Sequence, residues 1–237
     1  LSTFTSSGIL CCIVFYAALH LLFYSSYRYR HCTKYFFFRS HPTKQPHSDI
    51  EDVPWETLSL CRVIMNLALF DFDGTISTRD SYLLFTRFIG QKKFFWGCLV
   101  LSPRIIGYLA KVYPNDALKQ DFLRFFYRKK TSAELNRYAA NFCASILPSI
   151  IRPQALQRIL WHQGQGDITV VVSACPRLIL EPWCRSVKSD IIATEIEFDA
   201  QSETTGKIVG KNCWGQEKVH RILAQYALKD FAEVFAY

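Results

Sequence analysis

Two acidic side chains in one short stretch, Asp71 and Asp73, have the type and spacing that metal and phosphate chemistry needs. They follow an apolar run at residues 67–70 and precede Gly74. If the run is a buried strand, its period of two places both carboxylates on one side at the carboxyl end of the strand. Ligands bind at that end in open α/β sheets, and two carboxylates there suit a hard cation such as Mg²⁺. The alternative interpretation is a β-hairpin, because Asp-Gly between apolar residues also favours a tight turn.

Two further side chains stand where a phosphate site would use them. Ser173 directly follows a β-branched run at residues 167–172, and Lys218 lies near the start of a predicted helix over residues 216–228. Taken alone, each has a structural interpretation, Ser173 as a helix N-cap and Lys218 as a solvated charge. Asp80 likewise has an interpretation as the cap of the helix that follows it. A common function therefore depends on whether the surrounding elements bring these groups to one place.

The order of the predicted elements indicates a parallel α/β core. Helical periodicity covers most of residues 80–162, and short apolar runs typical of strands lie on both sides of it. After residue 172 the sequence predicts a helix, a strand at 190–193, a hairpin of 195–198 and 206–209, the helix at 216–228 and a last strand at 233–237. This is the order of a Rossmann-like parallel sheet with an inserted all-helical cap. We expect the core at residues 65–78 and 163–237, and the cap at 79–162.

Composition limits the classes of function that the chain can have. The 237 residues carry a formal net charge of +8, which favours phosphorylated ligands, anionic membrane surfaces or nucleic acid. The sequence has no zinc-ligand spacing and no aromatic RNA-binding signature, so we expect no nucleic-acid partner. The nine cysteines include no C-x-x-C pair and lie in apolar surroundings. That pattern indicates reduced thiols in an intracellular protein, and we predict a cytoplasmic location.

Residues 1–64 differ in character from the rest of the chain. An apolar run at residues 8–24 is followed by four Lys and Arg residues between positions 28 and 39, the pattern of a membrane anchor with a basic cytoplasmic flank. The run is shorter than the ~20 residues that span a bilayer. The chain begins with Leu1, and its single methionine, Met65, directly precedes the predicted strand. We expect residues 1–64 to be upstream sequence, with the membrane anchor as the alternative.

In this order, the acid pair, Ser173 and Lys218 resemble the motifs of the haloacid dehalogenase superfamily of phosphohydrolases. The D-F-D-G-T of residues 71–75 is similar to the first motif, the strand ending at Ser173 to the second, and Lys218 to the third. The helical insertion resembles the C1 cap of subfamily IB, which contains phosphoserine phosphatase. The family's fourth motif follows the strand that begins at residue 233, and the sequence stops at Tyr237. On that basis we expect an incomplete metal site and impaired catalysis.

The resemblance implies a Mg²⁺-dependent phosphomonoester hydrolase. On this resemblance Asp71 attacks phosphorus and becomes an aspartyl-phosphate, while Asp73 protonates the leaving alcohol and then activates water. Ser173 and Thr75 bind phosphoryl oxygens, and Lys218 and Mg²⁺ neutralise their charge. The implied metal ligands are the carboxylate of Asp71 and the backbone carbonyl of Asp73.

The match to phosphoserine phosphatase is weaker at the residues that determine substrate specificity. That enzyme has a glutamate that binds the substrate amine, and Asp80 holds the corresponding, substrate-binding position here. Its second motif continues Ser-Gly-Gly, whereas this chain has Ala174 and Cys175. The apolar stretch at 94–109, with cations nearby, is similar to the C-type phosphatidylglycerophosphatases, which implies a phospholipid head group and contact of the cap with a membrane surface. The alternatives are a small phosphorylated metabolite, an amino-acid phosphate, a binding protein that kept the fold without activity, and a helical bundle that buries its own core.

Overall fold

The computed structural model describes residues 65–237, so the predictions for residues 1–64 lie outside the described part of the chain. The strands are β1 (Leu67–Asp71), β2 (Ile168–Pro176), β3 (Asp190–Thr194), β4 (Ile196–Phe198), β5 (Thr204–Ile208) and β6 (Val234–Ala236). The α-helices are α1 (Ser81–Gly90), α2 (Lys92–Val100), α3 (Ser102–Leu109), α4 (Asn115–Phe126), α5 (Ser132–Ser145), α6 (Pro153–Gly164), α7 (Arg177–Ser186) and α8 (Gln216–Gln225). None of these eight helices combines the length and the apolar character that crossing a bilayer requires.

Four parallel strands form the main sheet in the order β3-β2-β1-β6. The chain passes from β1 to β2 and β3 on one side and then returns to β6 on the other, so the direction of crossing reverses at β1. Ligands bind outside the carboxyl ends of the strands at such a switch point. Because β1 is parallel to both its neighbours, the hairpin interpretation of Asp73 and Gly74 is wrong.

Apolar residues cover both faces of this sheet, as a parallel sheet requires. On one face Phe70 and Val171 are fully buried in a core that also includes Leu180 of α7. On the other face Leu67 is buried in a second apolar cluster, and Ile222 of α8 packs against that cluster. Near-continuous apolar strands therefore form here because each face has a helical cover, and the predicted Rossmann-like parallel sheet is confirmed.

Six helices, α1 to α6, lie between β1 and β2 and bury an aromatic core. Phe85, Tyr127 and Phe142 are fully buried there, and the rings of Phe85 and Phe142 meet edge to face with centroids 5.3 Å apart. The insertion begins at a side-chain cap, since Asp80 accepts the N–H of Leu83 at 2.7 Å. The predicted all-helical insertion is thus part of the observed fold.

A small antiparallel hairpin of β4 and β5 projects from the main sheet towards these helices. The N–H of Thr204 donates to the carbonyl of Lys130 at 2.9 Å, which draws this polar residue into a strand that starts two positions before the predicted one. The helix predicted to reach residue 228 ends at Gln225, because Tyr226 takes extended backbone and its hydroxyl donates to Asp190 at 2.8 Å.

Candidate active site

Asp71 ends β1 at the switch point of the sheet, and Lys218 reaches it from the first turn of α8. Nζ of Lys218 lies 2.8 Å from Oδ1 of Asp71, and both side chains are only 20% exposed. The N–H of Phe72 donates to the same Oδ1 at 2.8 Å. Gly215, just before α8, has a φ of 57°, a conformation that favours glycine and turns the chain into the helix at this point. Lys218 is therefore paired with Asp71, and its interpretation as a solvated charge is wrong.

Asp73 is buried in the turn that follows β1, two residues after Asp71. Its Oδ1 accepts the N–H of Ser81 at 2.7 Å and the hydroxyl of Ser77 at 3.3 Å. Burial, and then the charge of Asp80, raise the pKa of Asp73 to about 8, against the hydrogen bonds that lower it. A carboxyl group with a pKa near neutrality can both give and take a proton, which is what acid–base catalysis requires.

Ser173 lies at the same edge of the sheet as Asp71. Because Asp71 pairs with Val172, Ser173 stands one residue further towards the carboxyl end of the neighbouring strand. Its buried Oγ accepts the N–H of Cys175 at 3.0 Å. The N-cap of α7 is Pro176, so the interpretation of Ser173 as a helix cap is wrong.

Thr75 follows Asp73 in a tight turn. The N–H of Thr75 donates to the carbonyl of Phe72 at 3.3 Å, and the N–H of Gly74 donates to the carbonyl of Ser77 at 3.1 Å. Gly74 has a φ of 88°, and a Cβ there would meet no atom within 4 Å. The turn thus leaves open space beside its backbone, next to both acids.

Asp80 has two roles in the structure. It caps α1, and it lines a cavity beside Asp73. The cavity has a volume of about 50 Å³. It lies between the insertion and the sheet, and its lining includes Asp73, Asp80, Tyr82, Lys119, Asn212 and Trp214. The predicted substrate-binding position of Asp80 is therefore next to the predicted acid.

Lys119 and Asn212 are functional candidates that the sequence did not indicate. Nζ of Lys119, on α4, donates to the carbonyl of Ala174 at 2.6 Å and to Oδ1 of Asn212 at 2.7 Å. Burial lowers the pKa of Lys119 below its ordinary value. No local signal separates Lys119 from the other cations of the insertion, whereas Asn212 stands six residues before Lys218.

The candidate ligands for Mg²⁺ are two oxygens, the carboxylate of Asp71 and the backbone carbonyl of Asp73. In residues 65–237 no three His, Cys, Asp or Glu side chains converge on a metal position. Hard oxygen donors are the ligands that Mg²⁺ takes, and it commonly keeps several waters beside one or two carboxylates. The donors at the end of β1 therefore have the chemistry that Mg²⁺ prefers, and the incomplete metal site expected from the sequence stays a prediction.

The chain is similar to known proteins in sequence and in fold. The sequence profile of the haloacid dehalogenase-like hydrolases matches residues 68–237. The chain belongs to that family. It is 31% identical to the protein CicA of Caulobacter vibrioides over 157 residues, which cover 66% of this chain and 70% of CicA. It is also 28% identical to the histidinol-phosphatase of Neisseria meningitidis over 165 residues, 66% of this chain and 72% of that enzyme.

Solved structures share the fold. A Bordetella pertussis protein of unknown function aligns with a TM-score of 0.66 and 23% identity, over 73% of this chain and 82% of that one. A substrate-bound phosphoserine phosphatase aligns with a TM-score of 0.51 and 12% identity, over 73% and 76% of the two chains. The predicted superfamily and fold are confirmed. The family match and the similarity to histidinol-phosphatase support a phosphatase of the haloacid dehalogenase type.

Proposed function

We propose that the protein is a Mg²⁺-dependent phosphomonoester hydrolase that works through an aspartyl-phosphate on Asp71. The contact of Lys218 with Asp71 carries this proposal, because it places a cation beside a carboxylate at the sheet's switch point. Asp73, buried in the adjacent turn, supplies the acid. We also propose that residues 79–162 act as one cap over this site.

The first step transfers the phosphoryl group from substrate to enzyme. A carboxylate oxygen of Asp71 forms a bond to phosphorus while the bond from phosphorus to the alcohol oxygen breaks. Asp73 gives its proton to that alcohol oxygen, so the leaving group departs neutral. Lys218 stabilises the charge that develops on the phosphoryl oxygens. Asp71 and the backbone carbonyl of Asp73 would hold Mg²⁺, which would supply further positive charge to the site.

The second step returns Asp71 to its starting state. Asp73, now a carboxylate, takes a proton from water as the water oxygen bonds to phosphorus and the bond from phosphorus to Asp71 breaks. The hydroxyls of Ser173 and Thr75 hold phosphoryl oxygens at the edge of the sheet during both steps. Inorganic phosphate is then the product, and Asp73 carries a proton again.

We propose a lipid phosphate as the substrate, because α2 and α3 expose an unusually apolar surface. Trp96 is 69% exposed and Val112, just beyond α3, is 78% exposed. A cleft of about 520 Å³ at the start of α2 is lined by five cations and one acid: Lys92, Lys93, Arg128, Lys129, Lys130 and Glu134. Apolar side chains next to cations suit the surface of an anionic membrane. This apolar cap surface comprises Phe95, Trp96, Leu99, Val100, Ile106, Leu109 and Val112.

The catalytic proposal is tested with Asp71→Asn in the full chain. We expect the wild type to release phosphate from phosphomonoesters at a low rate, because the sequence predicts an incomplete metal site. The variant should lose this turnover while its circular dichroism spectrum and denaturation midpoint stay unchanged. A screen of lipid, sugar and amino-acid phosphates, with and without EDTA, identifies the substrate class. Turnover by Asp71→Asn at the wild-type rate excludes the aspartyl-phosphate, and no metal-dependent turnover by the wild type on any ester favours a binding protein.

The membrane proposal is tested by sedimentation with vesicles of phosphatidylcholine containing phosphatidylglycerol. We expect Trp96→Asp to weaken binding at least tenfold, because it puts a charge into the apolar cap surface. Trp161→Asp is the matched control, since Trp161 is an exposed tryptophan on α6, outside that surface. Equal binding by both variants contradicts docking through α2 and α3.

A further inference from the structure

The cavity beside Asp73 is where the alcohol part of the substrate belongs. Asp73 lines it, and on the proposed function Asp73 hands its proton to the leaving alcohol. A cavity of about 50 Å³ exceeds the ~10–15 Å³ that one water needs, so it takes a group of a few atoms. The chemistry of its walls should therefore select the leaving group.

The side-chain amide of Asn212 is oriented by two donors on the same atom. Its Oδ1 accepts the hydroxyl of Thr194 at 2.8 Å and Nζ of Lys119 at 2.7 Å. Because both bonds use the oxygen, Nδ2 is fixed on the other side of the amide. Asn212 is only 3% exposed, and within residues 65–237 its buried Nδ2 has no hydrogen-bond partner. An unpartnered buried donor at a cavity wall indicates that a ligand supplies the acceptor.

Lys119 adds positive charge to the same wall. It crosses from α4 to the carboxyl end of β2, where Nζ donates to the carbonyl of Ala174. Two acids also line the cavity. Asp80 accepts the N–H of Leu83 at the start of α1, and Asp73 carries the proton that it gives to the leaving alcohol on the proposed function. The wall formed by Lys119 and Asn212 thus presents donors and a cation, which together match an oxygen with negative charge.

We propose that Asn212 and Lys119 form a subsite for an oxyanion on the leaving group of the substrate, a carboxylate or a phosphodiester next to the phosphomonoester. This inference rests on the proposed function, because it places the leaving group by means of Asp73. Asn212 and Lys119 act here as specificity-determining residues, distinct from the groups that make and break the bonds to phosphorus.

Two soluble substrates of similar size test the subsite. 3-Phosphoglycerate carries a carboxylate where glycerol 3-phosphate carries a hydroxymethyl group. We expect the wild-type full chain to favour 3-phosphoglycerate in kcat/KM by about ten- to a hundredfold, the range of a hydrogen bond to a charged group. Vesicles containing phosphatidylglycerophosphate present a phosphodiester instead, three carbons from the phosphomonoester. Their hydrolysis relative to phosphatidic acid tells which source of the oxyanion is used.

Asn212→Asp is the sharpest variant, because it keeps an oxygen for Lys119 and Thr194 but replaces the Nδ2 donor with a second oxygen. We expect it to abolish the preference for the anionic substrate. Asn136→Asp makes the same chemical change at an exposed position of α5 and should retain the preference.

The outcomes separate this inference from the proposed function. If the wild type hydrolyses neither soluble ester, nor lipid phosphates, nor p-nitrophenyl phosphate, the proposed function itself is wrong. If it is a phosphatase without preference for either oxyanion-bearing substrate, the subsite is wrong, whether or not the variant folds. A preference that survives in folded Asn212→Asp overturns it as well.

Discussion

At Gly206 the hairpin of β4 and β5 lies directly against α4 of the cap. Its φ is 78°, and a Cβ added there would lie 2.7 Å from Cα of Arg124, a backbone atom of α4. A backbone atom cannot rotate away as the end of a side chain can, so α4 or the hairpin has to move. Gly206→Ala should therefore disturb the contact that holds α4, and with it Lys119, against the core.

The expected loss of stability has two parts. An alanine in left-handed backbone costs about 1–2 kcal/mol, and overpacking against a rigid neighbour costs about 1–3 kcal/mol. Gly206→Ala should therefore lower the free energy of unfolding by about 2–5 kcal/mol. In a chain of this size each kcal/mol corresponds to roughly 2–4 °C in Tm. Gly210→Ala is the control, because Gly210 has a φ of 66° and open space around it, so only the backbone part applies.

Urea denaturation followed by tryptophan fluorescence measures both variants. The difference between their unfolding free energies isolates the contact with Arg124 from the backbone strain. If Gly206→Ala is no less stable than Gly210→Ala, the hairpin does not lie this close to α4, and the placement of Lys119 that depends on α4 loses its support.

Two further predictions concern the site and the fold. Lys218→Met should lower kcat by about 10²–10³, because it removes a preorganised donor, whereas the exposed Lys229→Met should leave phosphate release unchanged; equal rates for the two variants contradict the role of Lys218. His162→Leu should lower the unfolding free energy by about 1–3 kcal/mol, since buried His162 bonds to Asp167 at 2.7 Å. It should leave kcat nearly unchanged, because Asp167 precedes β2, at the amino ends of the strands, whereas Asp71 lies at their carboxyl ends. His162 also bonds to the hydroxyl of Tyr237 at 3.0 Å, so a loss of turnover in the folded variant would show that this contact supports the site.

Local patterns in the sequence predicted the sheet well. The apolar run before Asp71 and the β-branched run before Ser173 are buried strands, as predicted. The second strand continues past Ser173 to Pro176, which the sequence did not indicate. The hairpin alternative at Asp73 failed because the Asp-Gly signal is local, whereas the pairing of β1 is decided by strands about 100 and 167 residues away in sequence. The order of the predicted strands and helices along the chain indicated this parallel pairing, whereas the Asp-Gly motif alone did not.

The cavity wall could not be predicted in the same way. Lys119 and Asn212 are 93 residues apart, and their contact depends on how α4 lies against the core. Helical periodicity gives the buried face of α4 through Leu118 and Phe122, but it does not give the neighbour that a lysine at the edge of that face will meet. The unpaired Nδ2 of Asn212 can be recognised only from the structure, in which Thr194 and Lys119 both donate to the Oδ1 of the same amide.

The two halves of the site therefore depend on different parts of the fold. Asp71 and Lys218 are held by the sheet and α8, so these two groups should keep their contact if α4 shifts. Lys119 depends on α4, which the hairpin supports at Gly206. A shift of α4 should then reduce the preference for 3-phosphoglycerate over glycerol 3-phosphate more than it reduces turnover of p-nitrophenyl phosphate. Gly206→Ala allows that comparison in a protein whose proposed catalytic residues are all intact, and a parallel loss on all three substrates would show that the cap and the core act as one unit.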